Sequence, residues 1–201
     1  MRRKITEPLE YWYEYNIDLD SRTLWIGSVK TDGEENESGV DYALVENVLK
    51  GLHLLECSGP AGDKPITIML NNPGGDVIEG LAIYDAIRTC KNHVTIKICG
   101  KAWSMAGYIL QAADERQVAK NASFMLHEGT RSLGTDHVQN IKRWSKYCDR
   151  LDEQCFEIYY QAISKKHPTF TRKRLRDMLK FDTILSATEV VDLGLADKII
   201  E

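Results

Sequence analysis

The sequence has few cysteines, and their arrangement excludes two kinds of framework. There are five among 201 residues, and none belongs to a C-x-x-C pair. Because the number is odd and the spacing is irregular, we expect neither a zinc site nor a set of disulfides. Free thiols are typical of a reducing compartment, so the cytoplasm is the expected location. The cysteines are Cys57, Cys90, Cys99, Cys148 and Cys155.

An excess of positive charge is also lacking. The chain has 26 lysines and arginines against 30 aspartates and glutamates, for a formal net charge of -4. A nucleic-acid-binding domain usually shows a basic face that is visible in these totals. We therefore expect no nucleic-acid partner.

Two further absences concern membranes and cofactors. No apolar run approaches the roughly 20 residues that a membrane-spanning helix needs. Glu7 and Glu10 interrupt the N-terminal stretch, so no signal peptide is expected there. Neither glycine-rich phosphate motif, G-x-x-x-x-G-K-[ST] or G-x-G-x-x-G, occurs in the chain. The sequence therefore gives no indication of a membrane association, a phosphate-binding loop or a cofactor.

What the sequence does contain is an alternation of strand-like and helix-like segments. Residues 66–70 form an apolar run typical of a buried strand, and residues 77–88 repeat apolar side chains at helical spacing. Residues 94–98 and 105–113 repeat that order. Such strand and helix units predict one α/β domain with a mainly parallel sheet. Further strands are predicted over residues 22–29, 117–119 and 123–126, and further helices over 41–56, 136–164 and 171–180.

Two of the predicted helices have distinctive features. The helix over residues 136–164 is longer than usual, and its apolar face includes Leu151, Cys155 and Ile158, so we expect it to project or to pack against another subunit. Ser186 and Glu189 form a capping box at the start of the last helix, and Gly194 suits its left-handed end.

Ser104 lies at a predicted corner between a strand and a helix, within residues 100–107. The first N–H groups of a helix have no partner inside the helix, and the helix dipole is positive there. A serine hydroxyl that attacks a carbonyl group at such a corner would find donors for the oxyanion it creates. The alternative is that Ser104 is only an N-cap, for which serine is a common residue.

Three other segments carry residues that could take part in chemistry, and each also has a purely structural interpretation. Gly74 and Gly75 follow a strand, where they form either a tight turn or a bare backbone that can approach a substrate oxygen. His127 ends the strand of residues 123–126, and a single histidine in that place is more often structural. Asp182 precedes the capped helix and is either functional or a solvated or capping carboxylate.

Taken together, these segments resemble the proteolytic subunit of the Clp protease, a self-compartmentalising serine peptidase with a crotonase-like fold. Gly74-Gly75, the serine segment over residues 100–106, the histidine segment over residues 124–127 and the segment that starts at Asp182 follow in that order. The resemblance extends from about residue 22 to residue 200. It implies a crotonase-like α/β fold made of repeated strand-helix units, with the long helix as a projecting handle.

The resemblance also implies a role for each candidate residue. Ser104 corresponds to the nucleophile, His127 to the general base and Asp182 to the carboxylate that orients the imidazole. Gly75 and Met105 correspond to the donors of the two N–H groups of the oxyanion hole. The function implied is a serine endopeptidase that cleaves peptides or unfolded proteins inside a chamber of stacked rings.

The resemblance is incomplete at two places. Glu128-Gly129 stands after the histidine, where the family often has Gln-Pro. Residues 1–21 are expected to form an N-terminal arm ahead of a peptidase domain over residues 22–201, and they do not resemble the family's axial loops. An AAA+ unfoldase partner is implied by the resemblance but not by this arm. Two alternative functions stay open: an inactive scaffold subunit in a mixed ring, and an acyl-CoA hydratase or hydrolase of the same fold.

Overall fold

A computed structural model describes residues 16–27, 38–58, 64–130, 132 and 134–201. These residues form one mixed sheet of eight strands with helices packed against it. The strands are β1 (Ile17–Asp18), β2 (Thr23–Ile26), β3 (Ile66–Asn72), β4 (Val94–Trp103), β5 (Glu115–Ala119), β6 (Ser123–Leu126), β7 (Thr183–Ser186) and β8 (Lys198–Ile200). The helices are α1 (Tyr42–Cys57), α2 (Val77–Thr89), α3 (Met105–Leu110), α4 (Val138–Lys166), α5 (Arg172–Leu179) and α6 (Ala187–Leu193).

The sheet is mainly parallel, as the alternation of strands and helices predicts. Its order is β1-β2-β3-β4-β5-β8, and all pairs from β2 to β8 along this path are parallel. The long strand β4 has two successive neighbours on one side, because its first half pairs with β5 and its last three residues pair with β6. β6 in turn pairs with β7 in the antiparallel direction. The end of β4 that leads into Ser104 therefore lies between β3 and β6.

Several helices begin and end at residues whose side chains or backbone are suited to capping. Asp41 caps α1 by accepting from the Leu44 N–H at 2.8 Å, and Asp76 caps α2 in the same way. The capping box predicted for Ser186 and Glu189 is present at the start of α6. Gly194 ends that helix with a φ of 88°, in the left-handed region that glycine adopts without strain.

Several predicted boundaries were wrong, each because of a contact distant in sequence. β4 continues to Trp103 instead of ending at residue 98, since Lys101 to Trp103 pair with β6. α3 ends at Leu110 instead of residue 113, because the N–H of Asp114 must reach the carbonyl oxygen of Val94 at 3.0 Å where β5 begins. β1, β7 and β8 were not predicted, because the ladders of these short strands depend on partners elsewhere in the chain.

The N-terminal arm stays a prediction, because residues 1–15 lie outside the described residues. Residues 28–37, which include the end of the predicted first strand, also lie outside them. Within the predicted arm, Ile17 is fully buried and pairs with Leu24 in the sheet. The part of the arm that the structure describes is thus attached to the domain.

The long helix α4 has two different halves. In its C-terminal half Cys155, Phe156 and Tyr159 are buried within the chain. Cys155 therefore covers the protein's own core, whereas Leu151 and Ile158 are only half-buried, so packing of this face on another subunit stays a prediction. In the N-terminal half, Val138 and Trp144 are 60% and 53% exposed, so the most exposed large apolar side chains of α4 lie there. None of the described helices has the length and apolarity needed to cross a lipid bilayer.

Candidate active site

Ser104 occupies a strained corner between β4 and α3. Its φ of 51° and ψ of -123° lie in a region that non-glycine residues rarely adopt. Its N–H donates to the carbonyl oxygen of Met125 at 2.8 Å, and its own carbonyl oxygen accepts from the Gly107 N–H at 2.9 Å. The side chain makes no capping hydrogen bond although the residue stands at the N-cap position. The alternative that Ser104 is only an N-cap is therefore wrong, and the hydroxyl is free to face another group.

That other group is the imidazole of His127. β6 pairs with the end of β4, with Ala102 opposite Phe124 and Trp103 opposite Met125, so the residue that follows β6 lies beside the serine corner. His127 Nε2 lies 2.8 Å from Ser104 Oγ. The N–H of Glu128 donates to the carbonyl oxygen of Leu179 at 2.7 Å, which fixes the backbone just after the histidine.

Asp182 completes a hydrogen-bonded series. β7 pairs with β6 in a register that places Thr183 opposite Leu126, so the residue before β7 lies beside the residue after β6. Asp182 Oδ1 lies 2.8 Å from His127 Nδ1. A carboxylate accepts only, so Nδ1 carries the proton in this arrangement and Nε2 accepts from the Ser104 hydroxyl. The Asp182 side chain is 67% exposed and that of His127 is 25% exposed, so the series extends from solvent to a half-buried serine.

The Gly74-Gly75 turn lies directly against the serine corner. A Cβ atom on Gly74 would stand 2.6 Å from Ser104 Cβ and 2.9 Å from the Met105 nitrogen, too close for any side chain. The φ angles of Gly74 and Gly75 are 96° and 152°, which also favour glycine. The structure thus brings the residue before Gly75 against both Ser104 and the Met105 nitrogen.

Backbone pairing with Val40 fixes this turn. The Val40 N–H donates to the Gly74 carbonyl oxygen at 2.7 Å, and the Asp76 N–H donates to the Val40 carbonyl oxygen at 2.8 Å. Neither bond uses the N–H of Gly75. A Cβ atom on Gly75 would overlap the Val40 carbonyl oxygen, so glycine is needed for this approach as well. Gly74 and Gly75 do form a tight turn, and this turn also packs against Ser104.

Two residues beside the site were not found by sequence analysis. Asn72 is fully buried, and its side chain accepts from the Gly74 N–H at 2.8 Å. The sequence pattern could have indicated Asn72, because this asparagine follows Ile66, Ile68 and Leu70 at the next core-facing position of β3. Tyr159 reaches the Ser104 carbonyl oxygen from α4, but a tyrosine on the apolar face of a helix gives no such signal.

The buried side chains that pack beneath Ser104 are uncharged. Tyr159 is completely buried and stacks on Tyr108, with ring centroids 4.0 Å apart. Burial raises the pKa of Tyr159 well above its usual value of 10.0, and burial likewise raises the pKa of Tyr108. Burial also raises the pKa of the Cys155 thiol to about 11. All three groups are therefore neutral at physiological pH.

The donor set offers little to a metal ion. Within the part of the chain that the structure describes, no group of three or more histidine, cysteine, aspartate or glutamate side chains is arranged to hold one. The five cysteines are all free, and Cys155 is the buried one. The chemistry available at the site is that of the serine, the histidine, the carboxylate and the backbone N–H groups.

A mainly parallel α/β sheet that carries a hydrogen-bonded serine, histidine and aspartate defines a class, the serine peptidases of crotonase-like fold. Within that class, the chain belongs to the Clp protease family, whose model matches residues 36–201. The chain is 28% identical over 189 residues to the ATP-dependent Clp protease proteolytic subunit of Deinococcus radiodurans, covering 93% of this chain and 84% of that protein.

A solved structure supports the same assignment. The chain superposes on a ClpP1 variant from Listeria monocytogenes with a TM-score of 0.74 and 27% sequence identity, over 91% of this chain and 93% of that one. The predicted crotonase-like α/β fold is confirmed by this match. The family also makes the chain a serine endopeptidase of the ClpP type, as the sequence predicts.

Proposed function

We propose that Ser104, His127 and Asp182 are the catalytic triad of this endopeptidase, and that Gly75 and Met105 donate the N–H groups of its oxyanion hole. The observation that carries the proposal is the continuous series from Asp182 Oδ1 through the imidazole of His127 to Ser104 Oγ, with 2.8 Å at each step. Both distances lie in the range of strong hydrogen bonds. The same arrangement of roles recurs on unrelated folds.

The reaction follows from these positions. Ser104 Oγ attacks the scissile carbonyl carbon while its proton passes to His127 Nε2. The imidazolium that results is stabilised by the carboxylate of Asp182. When the C–N bond breaks, Nε2 returns the proton to the leaving amine and an acyl-enzyme on Ser104 is left. Water then attacks the acyl carbon while one of its protons passes to Nε2. The ester bond to Oγ breaks, Nε2 returns the proton to Ser104 Oγ and the new carboxyl end is released.

The N–H groups of Gly75 and Met105 would act on the oxygen that becomes negative during the attack. Support for this comes from the Met105 nitrogen, which lies at the start of α3, where the helix dipole is positive, and 2.9 Å from where a Cβ atom on Gly74 would stand. Loss of one such donor typically raises the barrier by about 3 kcal/mol. The close packing of Gly74 on Ser104 supports this role, because it sets the distance between the donors and the nucleophile.

We further propose that the chain assembles as a homo-oligomer of stacked rings that encloses the sites in a chamber. The projecting half of α4 exposes Val138 and Trp144, which are the kind of apolar surface that a second subunit would cover. In such a chamber the substrates would be short peptides or unfolded polypeptides that can enter. The Deinococcus relative is named as ATP-dependent, so an AAA+ unfoldase is a candidate partner here, and the cytoplasm is the proposed location.

The two alternative functions are disfavoured by the same series of contacts. An inactive scaffold subunit would not need the serine, histidine and aspartate in hydrogen-bonded order. An acyl-CoA hydratase or hydrolase would need the two N–H donors but not all three side chains. Neither alternative explains why Ser104 adopts a strained backbone that presents its hydroxyl to His127.

A serine-directed fluorophosphonate tests the proposal. The reagent should label Ser104, as located by mass spectrometry of the digested adduct, and Ser104→Ala should abolish both labelling and peptide cleavage. Ser164→Ala is the matched control, because the Ser164 hydroxyl only donates to the Gln161 carbonyl oxygen on α4. Labelling at another residue, together with full activity of Ser104→Ala, would refute the triad.

A further inference from the structure

Asn72 is a polar residue at a position where the fold places apolar side chains. Along β3 the core-facing residues are Ile66, Ile68, Leu70 and then Asn72, and all four are fully buried. An amide in the core is destabilising by a few kcal/mol unless its polar atoms are hydrogen-bonded. An apolar residue would fit the strand pattern better, so the amide has to be explained by what it binds.

Both ends of the Asn72 amide are used. Its Nδ2 donates to the carbonyl oxygen of Gly27 at 2.8 Å, and its Oδ1 accepts from the N–H of Gly74 at 2.8 Å. The parallel ladder between β2 and β3 stops at Ile26 and Leu70, and the register of β3 shifts just beyond that point. The Asn72 side chain therefore replaces the backbone ladder there and joins the end of β2 to the glycine turn.

The turn that Asn72 holds is closely packed on both sides. Gly74 contacts Ser104 and the Met105 nitrogen on one side, and Gly75 contacts the backbone of Val40 on the other. Oxyanion donors act at about 2.7–3.1 Å from the oxygen, so a displacement of the turn by even part of an ångström weakens them. Val40 binds the carbonyl group of Gly74, which belongs to the same peptide group as the Gly75 N–H, and Asn72 binds the N–H of Gly74. The two bonds together fix both peptide planes that flank Gly74.

We propose that Asn72 is a positioning residue for the oxyanion hole, acting through Gly74 on the N–H of Gly75. This inference rests on the proposed function, since it assigns Gly75 as an oxyanion donor. Its hydrogen bond to an N–H two residues ahead is an Asx turn, which a serine hydroxyl can imitate but an alanine cannot. That chemical difference provides the test.

Asn72→Ala and Asn72→Ser form the decisive pair. Both lose the bond to Gly27 and leave nearly the same void, and they differ only in a hydroxyl that can accept from the Gly74 N–H. We expect Asn72→Ala to lower kcat for a peptide about 10- to 100-fold with KM changed less than about threefold, because the donor acts in the transition state. Asn72→Ser should recover most of that loss.

A second readout separates positioning from a general loss of stability. A peptide boronate forms a tetrahedral adduct with a nucleophilic serine, so its affinity should fall in proportion to kcat/KM across these variants. Asn92→Ala is the control, because Asn92 is also buried and donates to the Lys64 carbonyl oxygen at 2.9 Å, but it precedes the opposite end of β4 from Ser104. It should lower stability in urea while kcat and boronate affinity stay within about twofold of the unmodified protein.

The outcomes are distinct. Equal kcat values for Asn72→Ala and the unmodified protein would overturn the inference, and so would equal losses in the alanine, serine and Asn92→Ala variants. If Asn72→Ala does not fold, Asn72→Cys takes its place against the serine variant, because a thiol is a weak acceptor. Failure of the proposed function would instead show in the unmodified protein, as absence of fluorophosphonate labelling at Ser104.

Discussion

The phenol oxygen of Tyr159, on α4, lies 3.5 Å from the backbone carbonyl oxygen of Ser104. Gly107, on α3, makes this approach possible, since a Cβ atom there would overlap the phenol oxygen and stand 2.7 Å from Phe124 Cζ. The long helix and the short helix that follows the nucleophile are thus in direct contact beneath the site. A change in one should be measurable in the other.

The contact gives a first prediction. Gly107→Ala should destabilise the protein by roughly 1–3 kcal/mol through overpacking and should lower kcat, because α3 must shift together with Ser104. Tyr159→Phe alone should cost about 1 kcal/mol, the usual net value of one hydrogen bond. In the double variant the overlap is partly relieved, so its loss of stability should be smaller than the sum of the two. Urea unfolding of the four proteins measures this coupling, and strict additivity would contradict it.

A second prediction concerns Gly74. Gly74→Ala should lower kcat at least about 100-fold, because the new methyl group must displace either the oxyanion turn or Ser104, and one lost donor already has that effect. Gly27→Ala is the control, since a Cβ atom on Gly27 meets nothing within 4 Å. The measurement is kcat for a short peptide with both variants and the unmodified protein. A Gly74→Ala protein with normal kcat would mean that the turn does not set the geometry of the site.

Asp182 provides a third prediction. Asp182→Asn should lower kcat by about 10²–10⁴-fold, because an amide can donate to Nδ1 and so hold the imidazole in the wrong tautomer. KM should change little, since the residue does not bind substrate in the proposed reaction. The control is Asp177→Asn, whose carboxylate pairs with Lys180 on the surface. Full activity of Asp182→Asn would remove Asp182 from the triad.

Assembly is the subject of the fourth prediction. Replacement of Val138 and Trp144 by serine should lower the oligomer mass measured by light scattering and reduce peptide cleavage, because these side chains are the exposed apolar ones of the projecting half of α4. The unfolding midpoint of the dissociated chain should hardly change, since exposed positions add little to the stability of a single chain. Lys142→Ser on the same helix serves as the control. An unchanged mass would exclude this surface from the ring contacts.

The fifth prediction concerns acid stability at the C-terminal strand. Burial opposes ionisation of Asp197, but hydrogen bonds from the Arg116 side chain and N–H prevail and hold its pKa below the usual 3.8. A lowered pKa stabilises the fold at pH values above 3.8, and this contribution is lost as the pH falls through the folded-state pKa. Asp197→Asn should therefore be less stable in urea at pH 7 than the unmodified protein. The difference between the two should shrink below about pH 4.

Local patterns in the sequence were enough to locate part of the site and two helix ends. The segments that hold Ser104 and His127 were recognisable because each joins a local strand pattern to a residue of suitable chemistry. The capping box at Ser186 and the left-handed Gly194 were predictable for the same reason, since caps depend on residues within one turn of a helix. The resemblance to the Clp protease family followed from the order of those segments and is confirmed by the family match.

Other features needed contacts between distant parts of the chain. Pairing with β6 determines where β4 ends, and it also forms β7 and brings Asp182, the residue before β7, to the site. No local sequence pattern predicts this pairing. Which half of α4 is exposed also could not be predicted, because an apolar stripe looks the same whether it covers the chain's own core or a second subunit.

The sequence by itself determined the α/β class, the family and the residue types available for chemistry, because these depend on local periodicity and on motif order. Only the tertiary structure decided that Ser104 is strained rather than capping, that Asn72 holds the glycine turn and that Tyr159 lies under the nucleophile. The physical reason is that hydrogen bonds and close contacts act over about 3 Å, whereas the residues that make them can be far apart in sequence, as Ser104 and Tyr159 are, at 55 positions. Which of these residues meet is settled by the packing of the whole sheet and its helices.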